Sequence, residues 1–162
     1  MTSGDPRNEV LPQLTALARC RDNRQQSAKG IAQAIARAGM YRWVGVYDVG
    51  ASEIAVVGWT GPAPPTHPRF ARAQGLNGQA VRRCETIIVN DVRSNPHYLP
   101  TLGSTRAEMV VPILAKPGVV VGTIDIESEV ANDFGEADRV FVEQCAMAIR
   151  PLFGIKEGAE LR

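Results

Sequence analysis

The sequence predicts an α+β domain in which an antiparallel sheet carries N- and C-terminal helices on one face and loops forming a pocket on the other. Three observations predict it. Two helical patterns open the chain, strand patterns fill its middle and one helical pattern closes it, an order that suits a single sheet backed by helices. Two long stretches rich in turn formers interrupt the strands, and long loops inside a compact domain are usually binding loops or covers. The length, 162 residues, lets one domain bury about two-thirds of its unfolded surface without staples. Residues 1–162 are thus expected to form one domain: helices in 1–40, sheet and pocket loops in 41–132, and a closing helix and tail in 133–162.

Val10–Ala18 and Ala28–Met40 read as amphipathic helices; in the second, Ile31, Ile35 and Ala38 recur at helical spacing among alanines. Gly39 is the expected stop. Trp43–Asp48 and Glu53–Trp59 carry aromatic and β-branched residues on either side of a turn containing Gly50, the pattern of paired strands. Gly61–His67, GPAPPTH, is too rich in proline for a regular element. Gly78–Cys84 reads as a short helix, Thr86–Val89 as a short strand and Asp91–Thr105 as irregular chain. Glu108–Leu114 and Val119–Glu127 form the strongest strand pair, closed by Lys116-Pro117-Gly118. Asp133 and Glu136 have the spacing of a capping box. Beyond them Phe141, Cys145, Ala148 and Leu152 make one long helical stripe.

Composition narrows the functions. Basic and acidic residues number 18 and 17, and no basic run offers a phosphate-tracking surface, so nucleic acid is not an expected partner. The cysteines, Cys20, Cys84 and Cys145, are odd in number and lack Cys-x-x-Cys spacing, which argues against a disulfide framework or a cysteine zinc site. The most apolar runs, Met109–Leu114 and Val119–Ile124, are too short to span a bilayer, and the first twenty residues lack a signal-type apolar core. A cytoplasmic protein with no membrane partner is expected. No dinucleotide fingerprint or phosphate loop is present, and no cofactor is implied. Asp133-Phe134-Gly135 spells a kinase magnesium motif without its companions, and reads as part of the helix cap.

The chemistry lies in the hairpin EMVVPILAKPGVVVGTIDIE. Pro117-Gly118 suits the centre of a type II turn, because Pro fixes the first φ and Gly supplies the positive second one. Glu108 then faces Glu127, and Val110 faces Asp125. Opposed residues share a face, as do residues two apart on one strand, so Glu108, Asp125 and Glu127 cluster. Val110, Leu114, Val119 and Val121 are expected beside the acids, with Met109, Ile113, Val120 and Ile124 on the opposite face. Crowded carboxylates repel, and at least one pKa rises unless a cation answers them. Three answers are open. Arg106 or another base forms structural ion pairs; a divalent cation binds, although hard cations draw on more oxygen ligands; or the pocket takes a small molecule rich in hydrogen-bond donors, such as an ammonium. His67 and His97 lie in the two long loops, within reach of such a ligand. Trp43 and Tyr47 share one face of the first strand, as core or as pocket lining.

WVGVYDV, QGLNGQAV, VNDVRSNPHYL, TRAEMVVPI and VVGTIDIES together resemble the free methionine-R-sulfoxide reductase group of GAF domains, over roughly Tyr41 to Phe153. The resemblance implies a GAF-like (profilin-like) fold and a substrate pocket lined by Glu108, Asp125 and Glu127, with Trp43 and Tyr47 at the family's aromatic positions. It also implies where catalytic cysteines belong. Asn77 stands at one such position and Thr101 at another, and the stretch THPRFARA carries none, so thiolate attack and disulfide formation have no residue at those places. Cys84 ends a short helix and Cys145 sits on an apolar stripe, neither a setting that activates a thiol. Asn77 and Thr101 are accordingly ligand-binding candidates. The expected function is a small-molecule-binding GAF module, a sensor or ligand-binding protein for an amino-acid-like metabolite. The alternatives are a divergent reductase-like enzyme and a dimerisation module with a vestigial pocket. A homodimer through the terminal helices is expected, because those helices offer more apolar surface than one sheet face needs.

Overall fold

The computed structural model describes residues 4–156; the first three residues and the last six of the tail lie outside the described residues. The elements follow as α1 (Pro6–Arg19), α2 (Arg24–Gly39), β1 (Trp43–Val49), β2 (Glu53–Thr60), β3 (Arg69–Ala71), α3 (Gly75–Arg83), β4 (Ile87–Val89), β5 (Ala107–Lys116), β6 (Val119–Ser128) and α4 (Glu136–Ala148). Single 3-10 turns lie at Val92–Ser94 and Arg150–Phe153.

Both N-terminal helices begin ahead of their apolar periodicity, because their caps are polar. Asp5 accepts a hydrogen bond from the Arg7 amide at 3.0 Å, with Pro6 in the first turn, and Asn23 accepts from the Gln26 amide at 3.0 Å. The stop of α2 is Met40, not Gly39: Met40 takes the left-handed conformation at φ 58°, while Gly39 remains helical. Gly39 serves packing instead, since a Cβ there would lie 2.1 Å from the Tyr41 ring.

The closing helix departs from expectation at both ends. Its N-cap is Gly135, whose amide donates to Asp138 Oδ2 at 2.9 Å, so the cap lies two residues beyond Asp133 and its partner is Asp138 rather than Glu136. Asp133 instead accepts from the Ser128 hydroxyl at 2.5 Å, tying the end of β6 to the turn. The α-helix ends at Ala148, because Pro151 lacks an amide hydrogen and its ring clashes with the preceding turn. Leu152 reaches the core from the 3-10 turn. α3 starts three residues before the expected Gly78, from Gln74 and a left-handed Gly75.

The strands form one six-stranded sheet in the order β3-β2-β1-β6-β5-β4, antiparallel throughout. β3 has three residues in a stretch with no expected element and pairs only with the edge of β2. α2 covers β1 and β2, α4 covers β5, and α1 lies across α2 and α4. The larger core fills this helical face, with Ile31, Ile35, Val44, Met109, Ile124 and Phe141 buried in it. On the other face, Trp43, Tyr47 and Ile54 pack beneath the loops, and Leu76 and Ala80 of α3 pack with Ile87 and Val110 of the sheet.

The hairpin register is as the turn chemistry dictates. Glu108 opposes Glu127, Val110 opposes Asp125, and Gly118 has φ 79°. Near the turn it differs. The pairing shifts around Leu114, which opposes Val120, so Val120 joins the pocket-side cluster and Val121 packs toward the helices, the reverse of the expected faces. A bulge inverts the alternation for every residue between it and the turn.

Helix α2 and strand β2 meet at Gly58, where a Cβ would lie 2.4 Å from the Lys29 amide nitrogen and 2.6 Å from the Ala28 carbonyl carbon. Backbone on both sides leaves nothing to rotate away. Gly58→Ala is expected to destabilise the protein by about 1–3 kcal/mol, as overpacking does, read as a lower midpoint in urea. An unchanged midpoint would show that α2 slides freely on the sheet.

Candidate functional site

The site is built on the two central strands of the hairpin. Strand alternation sends Glu108, Asp125, Glu127 and Thr123 out of the same face, and the cover of α3 and the loops removes them from water. Glu108 is 2% exposed, Asp125 1% and Glu127 1%, and one oxygen from each lies within 4.8 Å of the others. At that spacing two ionised carboxylates repel by about 3–4 kcal/mol in an effective dielectric of ~20. Among the described residues no Lys, Arg or His is ion-paired with any of them. Arg106 does not answer the cluster; its Nε is buried with no hydrogen-bond partner.

Each acid has a different environment. Asn77, in the first turns of α3, donates from Nδ2 to Asp125 Oδ2 at 2.9 Å and accepts from the Thr123 hydroxyl at 2.6 Å. That amide favours the ionised form of Asp125, yet burial dominates and lifts its pKa to about 6. Glu127 accepts from the Thr105 hydroxyl, and the Thr101 hydroxyl and Leu102 amide also face it. Burial and the charge of Asp125 nevertheless raise it to about 8. Glu108 has no such donor. Burial, then repulsion from Asp125 and Glu127, hold it well above the usual carboxylate range, and its proton is shared with Asp125. Three oxygens remain without partners: Glu108 Oε2, Asp125 Oδ1 and Glu127 Oε1.

A small cavity adjoins Glu108, lined also by His67, Phe70, Leu76, Asn77 and Thr101 among others; Asp125 and Glu127 lie beside it without lining it. Its free space is about 10 Å3, room for about one water. The two long loops seal it. The Thr66 amide and hydroxyl both donate to the Thr101 carbonyl, at 3.0 and 2.8 Å, and the Trp43 indole donates to the Ala63 carbonyl at 3.1 Å.

The structure thus brings Glu108, Asp125, Glu127, Asn77 and Thr101 together. Trp43 and Tyr47 are fully buried beside the acids, opposite Glu127 and Thr123, but do not line the free space. Their two rings close over Gly45 between them, where a Cβ would lie 2.4 Å from the Trp43 ring and 2.8 Å from that of Tyr47. His67 lines the cavity; His97 is exposed and does not. Thr123 was findable, because it lies two residues before Asp125 on the same strand. Thr105 and Tyr98 were not, since irregular chain has no period. Burial and the field of Glu127 and Glu108 raise the Tyr98 phenol pKa above its ordinary value, and its oxygen is buried without a partner. None of the cysteines lines the cavity. Cys20 is exposed, Cys145 is buried in the helical core, and Cys84 borders an open cleft with Thr86, Val111 and Met147.

Comparison with known proteins places these features in context. The GAF domain family matches residues 23–150. GAF domain-containing protein A of Dictyostelium discoideum is 29% identical over 136 residues, covering 83% of this chain and 84% of that protein. The free methionine-R-sulfoxide reductase of Saccharomyces cerevisiae is 34% identical over 110 residues, covering 66% of this chain and 60% of the yeast protein. Among solved structures, the free methionine-R-sulfoxide reductase of Neisseria meningitidis in complex with its substrate superposes with a TM-score of 0.80 at 27% identity, covering 95% of this chain and 92% of that one. No helix among the described residues is long and apolar enough to cross a membrane.

The raised carboxyl pKa values fix a pH dependence. Folded, these acids hold protons that the unfolded chain releases from about pH 4 upward. Stability therefore falls as pH rises, until Asp125 ionises near 6 and Glu127 near 8, by up to about 1.4 kcal/mol per pH unit for each carboxyl. Thermal melts should give a lower midpoint at pH 8 than at pH 5. Glu108→Gln should narrow that difference while leaving the pH 5 midpoint nearly unchanged. A midpoint that rises from pH 5 to 8 would mean that a cation already neutralises the cluster.

Proposed function

This chain belongs to the GAF domain family, and we propose that it is a ligand-binding module whose pocket takes the ammonium group of a small amino-acid-like metabolite. The observation that carries this reading is the cluster of three buried carboxylates, one oxygen of each within 4.8 Å of the others and one oxygen of each without a hydrogen-bond partner, with no protein cation ion-paired to them among the described residues. A primary ammonium offers three N–H donors on one compact charge, a match in number and sign. A divalent cation is a poorer fit, because three carboxylates supply only part of the oxygen shell that hard cations take. The likeness to the Neisseria reductase solved in complex with its substrate supports a small-molecule occupant.

Calorimetry with free methionine-R-sulfoxide and its deamino analogue, in which a hydrogen replaces the ammonium, tests the reading. The free form is expected to bind and the deamino form to fail. Asp125→Asn should weaken the free form by about 2–5 kcal/mol, the usual cost of breaking a desolvated charged contact. Equal affinities for the two forms would overturn the role given to the acids. Mass spectrometry of the protein under native conditions would identify a metabolite that copurifies.

A second reading, a divergent reductase, is favoured by the 34% identity with the yeast enzyme. It needs a thiol at the pocket, whereas Asn77 and Thr101 occupy the positions at which the family resemblance expects cysteines. With dithiothreitol as reductant, no turnover of free methionine-R-sulfoxide is expected. Turnover abolished by Cys84→Ser would establish the enzyme and displace the binding-only reading.

A further inference from the structure

The pocket is shut in a way that conflicts with its own charge. Glu108 on β5 and Asp125 and Glu127 on β6 sit in the middle of the sheet, where no strand can move aside. Tyr47 faces them from β1, Tyr98 from the 91–105 loop and neutral Asn77 from α3. His67 lines the cavity from the 61–67 loop. Arg106, which follows the 91–105 loop, has Asp91 within its field. Both phenols have pKa values raised by burial and by these same acids, so they stay neutral and answer none of the charge. About 10 Å3 of free space admits at most about one water, too little to solvate three carboxylates.

The cover over the acids is irregular chain. It is held by the Thr66 bonds to the Thr101 carbonyl, by Thr105 and Leu102 on Glu127, and by local turns such as the Thr105 amide on the Leu102 carbonyl at 3.3 Å. We propose that the segment from Asp91 to Thr105 is a proton-operated lid: loss of protons from the Glu108–Asp125–Glu127 cluster swings it open and floods the pocket with water.

The direction follows from linkage. Ionised Glu127 binds Thr105 and Leu102 more tightly, but that gain is already contained in a closed-state pKa that still stands at about 8. Any state that exposes the acids to water restores ordinary carboxylate behaviour, so each proton lost favours the open state by tenfold per pH unit across the interval between the two pKa values. Opening of this kind is a property of the unliganded protein and does not depend on which ligand binds there.

Hydrogen–deuterium exchange of the unliganded protein between pH 5.5 and 8.5, with times scaled for intrinsic exchange, tests it. Protection of the Thr66, Leu102 and Thr105 amides should fall by at least 100-fold between pH 6 and 8, while β1 and β6 keep theirs. Thr66→Val, outside the acid cluster, should lower loop protection by a similar factor at every pH and leave the slope intact. Glu108→Gln should flatten the slope. Loop protection that does not change with pH would overturn the proposal, and so would loop protection that falls in step with β1 and β6, because the protein would then be unfolding as a whole.

Discussion

Mutual repulsion among Glu108, Asp125 and Glu127 sets the terms for everything on the pocket face. Carboxyls this close and this dry persist only if protons, hydrogen-bond donors or an incoming cation occupy them. The surroundings supply the first two unequally. Asn77 attends Asp125, three donors from one loop attend Glu127, and nothing but a shared proton attends Glu108. The inequality makes three like groups chemically distinct. Asp125 is the seat of negative charge, Glu127 fastens the loop and Glu108 carries the proton.

The opposite face makes this tolerable. Helices α2 and α4 press a continuous aliphatic core onto the sheet, with Ile31, Ile35, Met109, Ile124, Phe141 and Val142 buried. A strand that carries Asp125 and Glu127 on one side carries Ile124 and Ile126 on the other. The same two strands therefore gain stability from one face and lose some of it to the other. Functional sites commonly depart from the local rules that the rest of a fold obeys.

How much was legible in the sequence follows from periodicity. The hairpin register needed only Pro117-Gly118 and the alternation of a strand, and it put the three acids together. It failed near the turn, where a bulge at Leu114 inverts Val120 and Val121, because one extra residue leaves no mark in composition. Helix bounds were off where caps lie outside the apolar stripe, as at Asp5, Asn23 and Gly135. Asn77 and Thr101 were reached through family resemblance, whereas Tyr98 and Thr105 belong to chain whose path is set by tertiary contacts alone. That the pocket is closed was not legible at all, since it depends on Thr66 meeting a carbonyl 35 residues further along.

Helix α1 is seated on a joint. It touches α2 and α4 and the final 3-10 turn, and has no substantial contact with the strands. α2 rides on β1 and β2, while α4 rides on β5, so the two supports of α1 belong to opposite halves of the sheet. A change of twist between those halves would alter the spacing of its supports and be felt by α1 as a loss of fit. Arg7 tightens the coupling, binding Asp138 at 2.9 Å and lying over the Tyr41 and Phe141 rings. In mechanical terms α1 is a strain gauge glued across the back of the sheet, on the side away from the acids.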